Sequence, residues 1–173
     1  IADNTWRAKR GIEALNVKFH GGETIGLESN QIQAELLNSL DEEGKNITEA
    51  NQVLDLEYEV PYLSHAALEP MNCTAIVAEK FCEVWAPTQS QGGCMDAAKE
   101  ITELDEEQIK IHTTYLGGGF GRRGETDFVK HSLILAKELG KPVKVTWMRE
   151  EDMQHGFYRP ASISRFQIGL NKK

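Results

Sequence analysis

A chain of 173 residues is long enough for one domain with its own core, or for one domain plus part of another. Its 19 Lys and Arg against 27 Asp and Glu give a formal net charge of -8, which argues against nucleic acid as the main partner and makes any basic cluster a local feature. No apolar run approaches the ~20 residues of a membrane span, and Cys73, Cys82 and Cys94, without a Cys-x-x-Cys pair, argue against an iron–sulfur or zinc site built within the chain.

The opening residues predict a helix over about 4–13, a strand over about 14–19 and a second helix over about 30–40, capped by Ser29 or Asn30. Asp41-Glu42-Glu43-Gly44-Lys45-Asn46 reads as a solvated turn and a domain boundary, so residues 1–50 and 51–173 are treated as separate pieces. Leu54-Asp55-Leu56-Glu57-Tyr58-Glu59-Val60 alternates apolar with acidic, as a half-buried strand does, and Pro61 ends it. Short strands over about 73–78 and 81–86, a helix over 92–102 and a strand over 109–116 come next. A helix over 126–139 follows, with Phe128, Leu135 and Leu139 on one face and Val129, Leu133 and Ala136 beside them, until Gly140 and Pro142 stop it. Val143 to Met148 is a strand, Arg149 to Ala161 a loop, and the run from Ser164 to Leu170 the last strand. The order β-β-β-α-β-α-β-β from residue 54 points to an α+β, two-layer architecture with a mixed β-sheet. With no initiator methionine, a helix at its start and a strand at its close, the chain is expected to be a segment of a longer protein.

Gly117-Gly118-Gly119-Phe120-Gly121-Arg122-Arg123-Gly124 is the most informative stretch, with five glycines in eight positions between a predicted strand and a predicted helix. Bare backbone exposes amide N–H groups and permits left-handed angles, and two arginines stand among them, a composition suited to an anionic ligand. Gly119 to Gly124 satisfies G-x-G-x-x-G, so a Rossmann NAD(P) site is one reading; the acid expected after the next strand is Glu150 or Glu151, about 30 residues on and late. A P-loop is a second reading, opposed by Glu125 where the lysine belongs. A tight turn with no ligand is a third.

Several separated motifs agree on a resemblance. Glu57-Tyr58-Glu59-Val60-Pro61-Tyr62-Leu63-Ser64-His65, Leu68-Glu69-Pro70-Met71-Asn72-Cys73-Thr74-Ala75, Val84-Trp85-Ala86-Pro87-Thr88-Gln89, Gly117 to Arg123 with Asp127-Phe128-Val129, and Glu151-Asp152-Met153 with Phe157-Tyr158-Arg159-Pro160-Ala161 occur in this order. Together they resemble the molybdenum-binding large subunit of the xanthine dehydrogenase/aldehyde oxidase superfamily, nearest its isoquinoline 1-oxidoreductase beta-subunit branch. The resemblance implies that residues 51–173 are the first half of a molybdopterin-binding domain, and residues 1–50 the tail of a hammerhead-type domain before it. It implies that Gly118, Gly119, Phe120 and Gly121 touch the molybdopterin, that Arg122, helped by Arg123, lies near its phosphate-bearing part, that Gln89 hydrogen-bonds an oxygen ligand of molybdenum, and that Arg159 lines the substrate cavity. A cytosine dinucleotide form of the cofactor, 2Fe-2S clusters on a small iron–sulfur partner subunit, the remaining C-terminal molybdenum domain of the same polypeptide, and a small heteroaromatic or aldehyde substrate are implied in the same way. Cytoplasm and export of the folded protein to the periplasm are both compatible with it.

Purine-hydroxylating relatives carry an acid that falls here on Gly124, with Glu125 one step further, so purine specificity does not follow. The family's general base lies near the carboxyl end of the full subunit and matches nothing in this chain. A cofactor-free binding or assembly module of the same fold is the alternative of another class. His65, His112, His131 and His155 are too scattered for a metal site, Glu69 reads as a carboxylate bonding nearby amides, and Trp85 and Trp147 read as core. Cys94 follows Gly92-Gly93 at a helix start that would favour a thiolate, with no base evident beside it.

Overall fold

A computed structural model describes residues 1–40, 47 and 49–172. The turn expected at 41–46 lies outside these residues. The chain divides into two compact units, residues 1–62 with 160–173, and residues 63–159.

The first unit holds helices α1 (Thr5–Glu13) and α2 (Ser29–Asn38) and strands β1 (Gln52–Val60) and β6 (Ser162–Leu170). The Asn4 side chain caps α1 by accepting from the Arg7 N–H at 3.0 Å. Helix α2 begins one residue before the expected caps: Glu28 takes the cap position and its N–H donates to Gln31 Oε1 at 3.1 Å. The strand expected over 14–19 does not form; residues 14–19 are exposed and find no ladder partner among the described residues, and an extended segment without one leaves its backbone groups to water. Strands β1 and β6 pair antiparallel from Gln52↔Leu170 to Val60↔Ser162, with Arg165 bonding Glu57 and Tyr58 meeting Phe166 edge-on.

The second unit holds β2 (Asn72–Val77), β3 (Cys82–Ala86), α3 (Gln91–Thr102), β4 (Ile109–Thr113), α4 (Asp127–Leu139), β5 (Val143–Thr146) and α5 (Arg149–His155). Its sheet runs β4-β3-β2-β5, with β4 parallel to β3 and β2 antiparallel to both of its neighbours, so the sheet is mixed as expected. An antiparallel strand at its centre excludes the doubly wound parallel sheet of a Rossmann domain. Alternate residues Cys73, Ala75, Cys82, Val84 and Ala86 form its buried face, and their small side chains let α3 and α4 approach closely. Phe128, Val129, Leu133 and Ala136 of α4 and Cys94, Ala97 and Ala98 of α3 complete that core. Leu135 and Leu139 were expected to lead the apolar face; Leu135 is half-buried and Leu139 exposed, because the helix turns the neighbouring stripe to the sheet. Trp85 and Trp147 are likewise half-buried rather than core, Trp85 stacking on His112.

Both strands that end early do so at the site. The chain leaves β4 after Thr113, and just past the end of β5 the Trp147 N–H donates to Met71 O at 2.8 Å. Helix α5 occupies part of the expected loop; Glu150, Glu151 and Asp152 in its first turn suit the positive end of the helix dipole. Among the described residues no helix is long and apolar enough to cross a membrane.

Phe128 is fully buried at the helix–sheet junction. Phe128→Ala should lower the unfolding free energy by about 3–5 kcal/mol, read from chemical denaturation; a loss under about 1 kcal/mol would mean that this core is not a cooperative unit.

Candidate functional site

Strand pairing fixes where the functional loops meet. Ala86 sits beside Thr113, Thr74 beside Trp85, and Asn72 beside Thr146. The start of β2 and the ends of β3, β4 and β5 therefore share one edge of the sheet. Residues 65–71, Pro87-Thr88-Gln89, the glycine loop and the start of α5 all emerge there.

The glycines are placed by what packs on them. A Cβ on Gly117 would strike the Glu69 side chain, and one on Gly119 would strike the Gln89 carboxamide. Gly118 and Gly121 have φ of +94° and +101°, angles that glycine adopts without strain. Phe120 also lies in the left-handed region, at φ +55°, which costs a residue with a Cβ. Its ring is exposed and folds back over Gly118.

The hydrogen bonds of this loop are asymmetric. Every carbonyl from Gly117 to Gly121 is taken by a protein donor: Glu69 N–H on Gly117, Arg123 Nε on Gly118, Arg122 N–H on Gly119, Arg159 Nη2 on Phe120 and Gly124 N–H on Gly121. The N–H groups of Gly118, Gly119 and Phe120 have no protein acceptor among the described residues. Gln89 extends the pattern: its Oε1 accepts from the Gly121 N–H at 3.1 Å, which leaves its exposed Nε2 as a donor. The result is a wall that offers hydrogens and withholds lone pairs.

Neither Arg122 nor Arg123, which the resemblance puts near the phosphate-bearing part of the cofactor, turns its guanidinium group outward. Arg122 is 2% exposed, forks onto Asp127 at 2.9 and 2.7 Å, and lies 5.4 Å from the rings of both Trp147 and Phe157. Its Nε is buried without a partner among the described residues. Arg123 is fully buried and donates to Gly118 O at 2.8 Å, Pro87 O at 3.3 Å, Glu69 O at 2.7 Å and Glu69 Oε2 at 2.9 Å. Each arginine has a carboxylate within reach, and a charge leaving water takes that partner first. Both act on the shape of the loop.

Glu69 is the partner that sequence reasoning undervalued. Besides Arg123, its carboxylate accepts from the Gly117 N–H at 2.9 Å and from the Asn72 amide at 3.0 Å. Burial alone would raise its pKa; the bonds from Gly117 and Asn72 and the Arg123 charge outweigh that and hold it below the ordinary carboxylate value. Arg149 and Asp152 were also missed: Arg149 donates to buried Asp152 at 2.8 Å and to Leu68 O at 2.7 Å, which ties α5 to the 65–71 segment. Cys94 is fully buried, its Sγ bonds Thr88 Oγ1, and burial raises its thiol pKa, which disfavours the thiolate that its place at a helix start suggested. Arg159 reaches the site through its Nη2 bond to Phe120 O at 2.9 Å, and a two-way backbone bridge with Leu63 positions it.

Residues 28–173 match the family model described as the molybdopterin cofactor-binding domain. A membrane-bound aldehyde dehydrogenase (pyrroloquinoline-quinone) of Gluconacetobacter polyoxogenes is 30% identical over 99% of this chain and 24% of its own length. Isoquinoline 1-oxidoreductase subunit beta of Brevundimonas diminuta is also 30% identical, over 69% of this chain and 15% of its own length, so identity alone does not favour the isoquinoline branch. The molybdenum-binding subunit of an Escherichia coli aldehyde oxidoreductase is 27% identical over 72% of the chain and 17% of its own length. Quinoline 2-oxidoreductase from Pseudomonas putida 86 shares the fold, with a TM-score of 0.60 at 17% identity over 71% of this chain and 16% of that one. The chain thus spans a quarter or less of these relatives.

Glu69→Gln keeps the shape and removes the charge beside buried Arg123, and should destabilise the chain by about 1–3 kcal/mol at neutral pH. Because folding lowers the Glu69 pKa, its contribution is full above the unfolded carboxylate value of about 4.3 and fades as pH falls through the lower folded value. Denaturation of both proteins across that window should show the gap closing on the acid side; a gap independent of pH would remove the ion pair from the account.

Proposed function

The chain belongs to the molybdopterin cofactor-binding domain family of the xanthine dehydrogenase/aldehyde oxidoreductase superfamily, and on that premise we propose that Gly118–Gly121 and Gln89 form one wall of the cofactor seat in a larger molybdenum hydroxylase. The observation that carries this reading is the donor-only loop: carbonyls 117–121 are all engaged while the N–H groups of Gly118, Gly119 and Phe120 have no acceptor among the described residues. A pterin with dithiolene, phosphate and metal–oxygen groups is rich in acceptors, and such a wall complements it. Gly119 adds the second test of fit, since a side chain there would displace Gln89 from beside the seat. When bound, the cofactor supplies the two-electron chemistry that places water-derived oxygen on an N-heteroaromatic ring or an aldehyde.

This chain's own residues bind and orient. The three free amides and the Gln89 Nε2 donate to the cofactor. Arg122 and Arg123 hold the loop that presents them. Arg159 fixes Phe120 and lines the substrate side, where its guanidinium would stabilise negative charge building on a heteroaromatic substrate. Residues 51–173 are read as the N-terminal part of the molybdenum domain, and residues 1–50 as the tail of a hammerhead-type domain. The general base, the rest of the molybdenum domain and the 2Fe-2S clusters of a small partner subunit, which take the electrons, lie outside these residues. A cytosine dinucleotide is the proposed extension of the pterin.

The intact polypeptide, made in a host that synthesises the cofactor, is expected to carry about one molybdenum atom per chain, measured by elemental analysis. Gln89→Glu keeps the bond from Gly121, replaces the donor with a negative oxygen and should lower that content roughly tenfold or more. Residues 1–173 alone should show no turnover. A folded intact protein that purifies without molybdenum from such a host would favour the cofactor-free assembly module instead.

A further inference from the structure

The segment from His65 to Glu69 lies along the glycine loop. Glu69 meets Gly117, Ala67 comes within 3.6 Å of a Cβ placed on Gly118, and His65 Nε2 within 3.7 Å of one placed on Gly121. Ala66 between them is held at φ +46°, a left-handed angle that disfavours a residue with a Cβ. That backbone turn sets the imidazole of His65 against the far end of the loop.

The ring makes no hydrogen bond to the protein among the described residues. Its Nδ1 is shut off from solvent and unpartnered. A proton on Nδ1 would bury an N–H with no acceptor, whereas a bare Nδ1 lone pair is the more easily tolerated defect. The neutral ring therefore carries its proton on Nε2, the atom that faces Gly121. An imidazole kept only for its volume would gain from replacement by leucine, which has no polar atom to strand.

We propose that His65 is a further cofactor-binding residue, donating from Nε2 at the Gly121 end of the same donor wall. The proposal rests on the molybdopterin reading of the loop. It gives the seat a second side: the amides of Gly118, Gly119 and Phe120 with the Gln89 amide on one hand, and the His65 Nε2 on the other. All of these groups are donors, so the inference extends the character of the wall to a segment about 50 residues away in sequence.

The test uses the intact polypeptide from a cofactor-making host, with molybdenum per chain and released pterin fluorescence as readouts, and melting temperature measured on apoprotein from molybdate-starved cells. His65→Leu should retain roughly tenfold less molybdenum with an apoprotein melting temperature equal to or above that of the wild type. His65→Gln, which offers an amide donor at similar reach, should recover most of the metal. Wild-type molybdenum content in His65→Leu overturns the proposal and leaves the reading of the loop intact. A fall in both melting temperature and molybdenum that His65→Gln fails to reverse also overturns it, and assigns His65 to packing. A wild-type protein without molybdenum overturns the loop reading and this proposal with it.

Discussion

One buried cation organises the site. Arg123 sits without solvent contact and sends its guanidinium donors to the Gly118, Pro87 and Glu69 carbonyls and to the Glu69 carboxylate. Its own carbonyl accepts from the Gln89 N–H at 2.9 Å and the Thr88 hydroxyl at 3.2 Å. Three loops from three strand ends are thus bound to a single residue. Removing a charge from water is costly, and the arrangement holds because all three guanidinium nitrogens meet acceptors, one of them a carboxylate. Burial lowers the Arg123 pKa, while the Glu69 charge opposes the shift and favours the ionised pair.

The donor-only wall follows from that constraint. A peptide group has one donor and one acceptor, and they point in opposite directions. Once Arg123, Arg122 and Glu69 have drawn the carbonyls of residues 117–119 into the protein, the opposite N–H groups of Gly118, Gly119 and Phe120 point away from those contacts, while the next two, of Gly121 and Arg122, bond Gln89 Oε1 and Gly119 O. Left-handed angles at Gly118, Phe120 and Gly121 let the chain keep that orientation through a tight bend. Glycine is thus favoured at 117 by the Glu69 Cβ lying on the backbone, at 119 by the Gln89 carboxamide that a side chain would push aside, and at 118 and 121 by backbone angle.

Much of this was legible in the sequence where periodicity or punctuation carried it. The alternation from Leu54 to Val60, the Gly140 and Pro142 stop and the strand–glycine–helix order all predicted elements that formed, and the mixed sheet followed from their order. The strand expected over 14–19 does not form, because a strand exists only with a partner and apolar residues alone do not supply one. Helix α5 was hidden by its length of 7 residues and by charges that read as loop. The arginines show the harder limit. Their number and setting marked the loop as a site, but whether a guanidinium faces solvent or protein depends on distant partners. Glu69 is 54 residues from Arg123, and no spacing rule connects them. Asp127, only five residues from Arg122, was within reach of a local reading that looked for a carboxylate on the next helical turn.

Pairing both arginines changes how an acidic chain can hold an anion. With a net charge of -8 and Arg122 and Arg123 matched to Asp127 and Glu69, the loop's own arginines have no free positive charge to draw ligands from a distance, which leaves Arg159 as the site guanidinium without a carboxylate partner among the described residues. Attraction comes from amide dipoles, which act over the length of a hydrogen bond and demand a fitting outline. A site that must refill at every turnover gains from long-range steering, whereas one that seats a group once gains from close complementarity and slow release. The loop has the second character: bare backbone approached closely from two sides, rigidly tied from behind, with donors fixed before anything arrives.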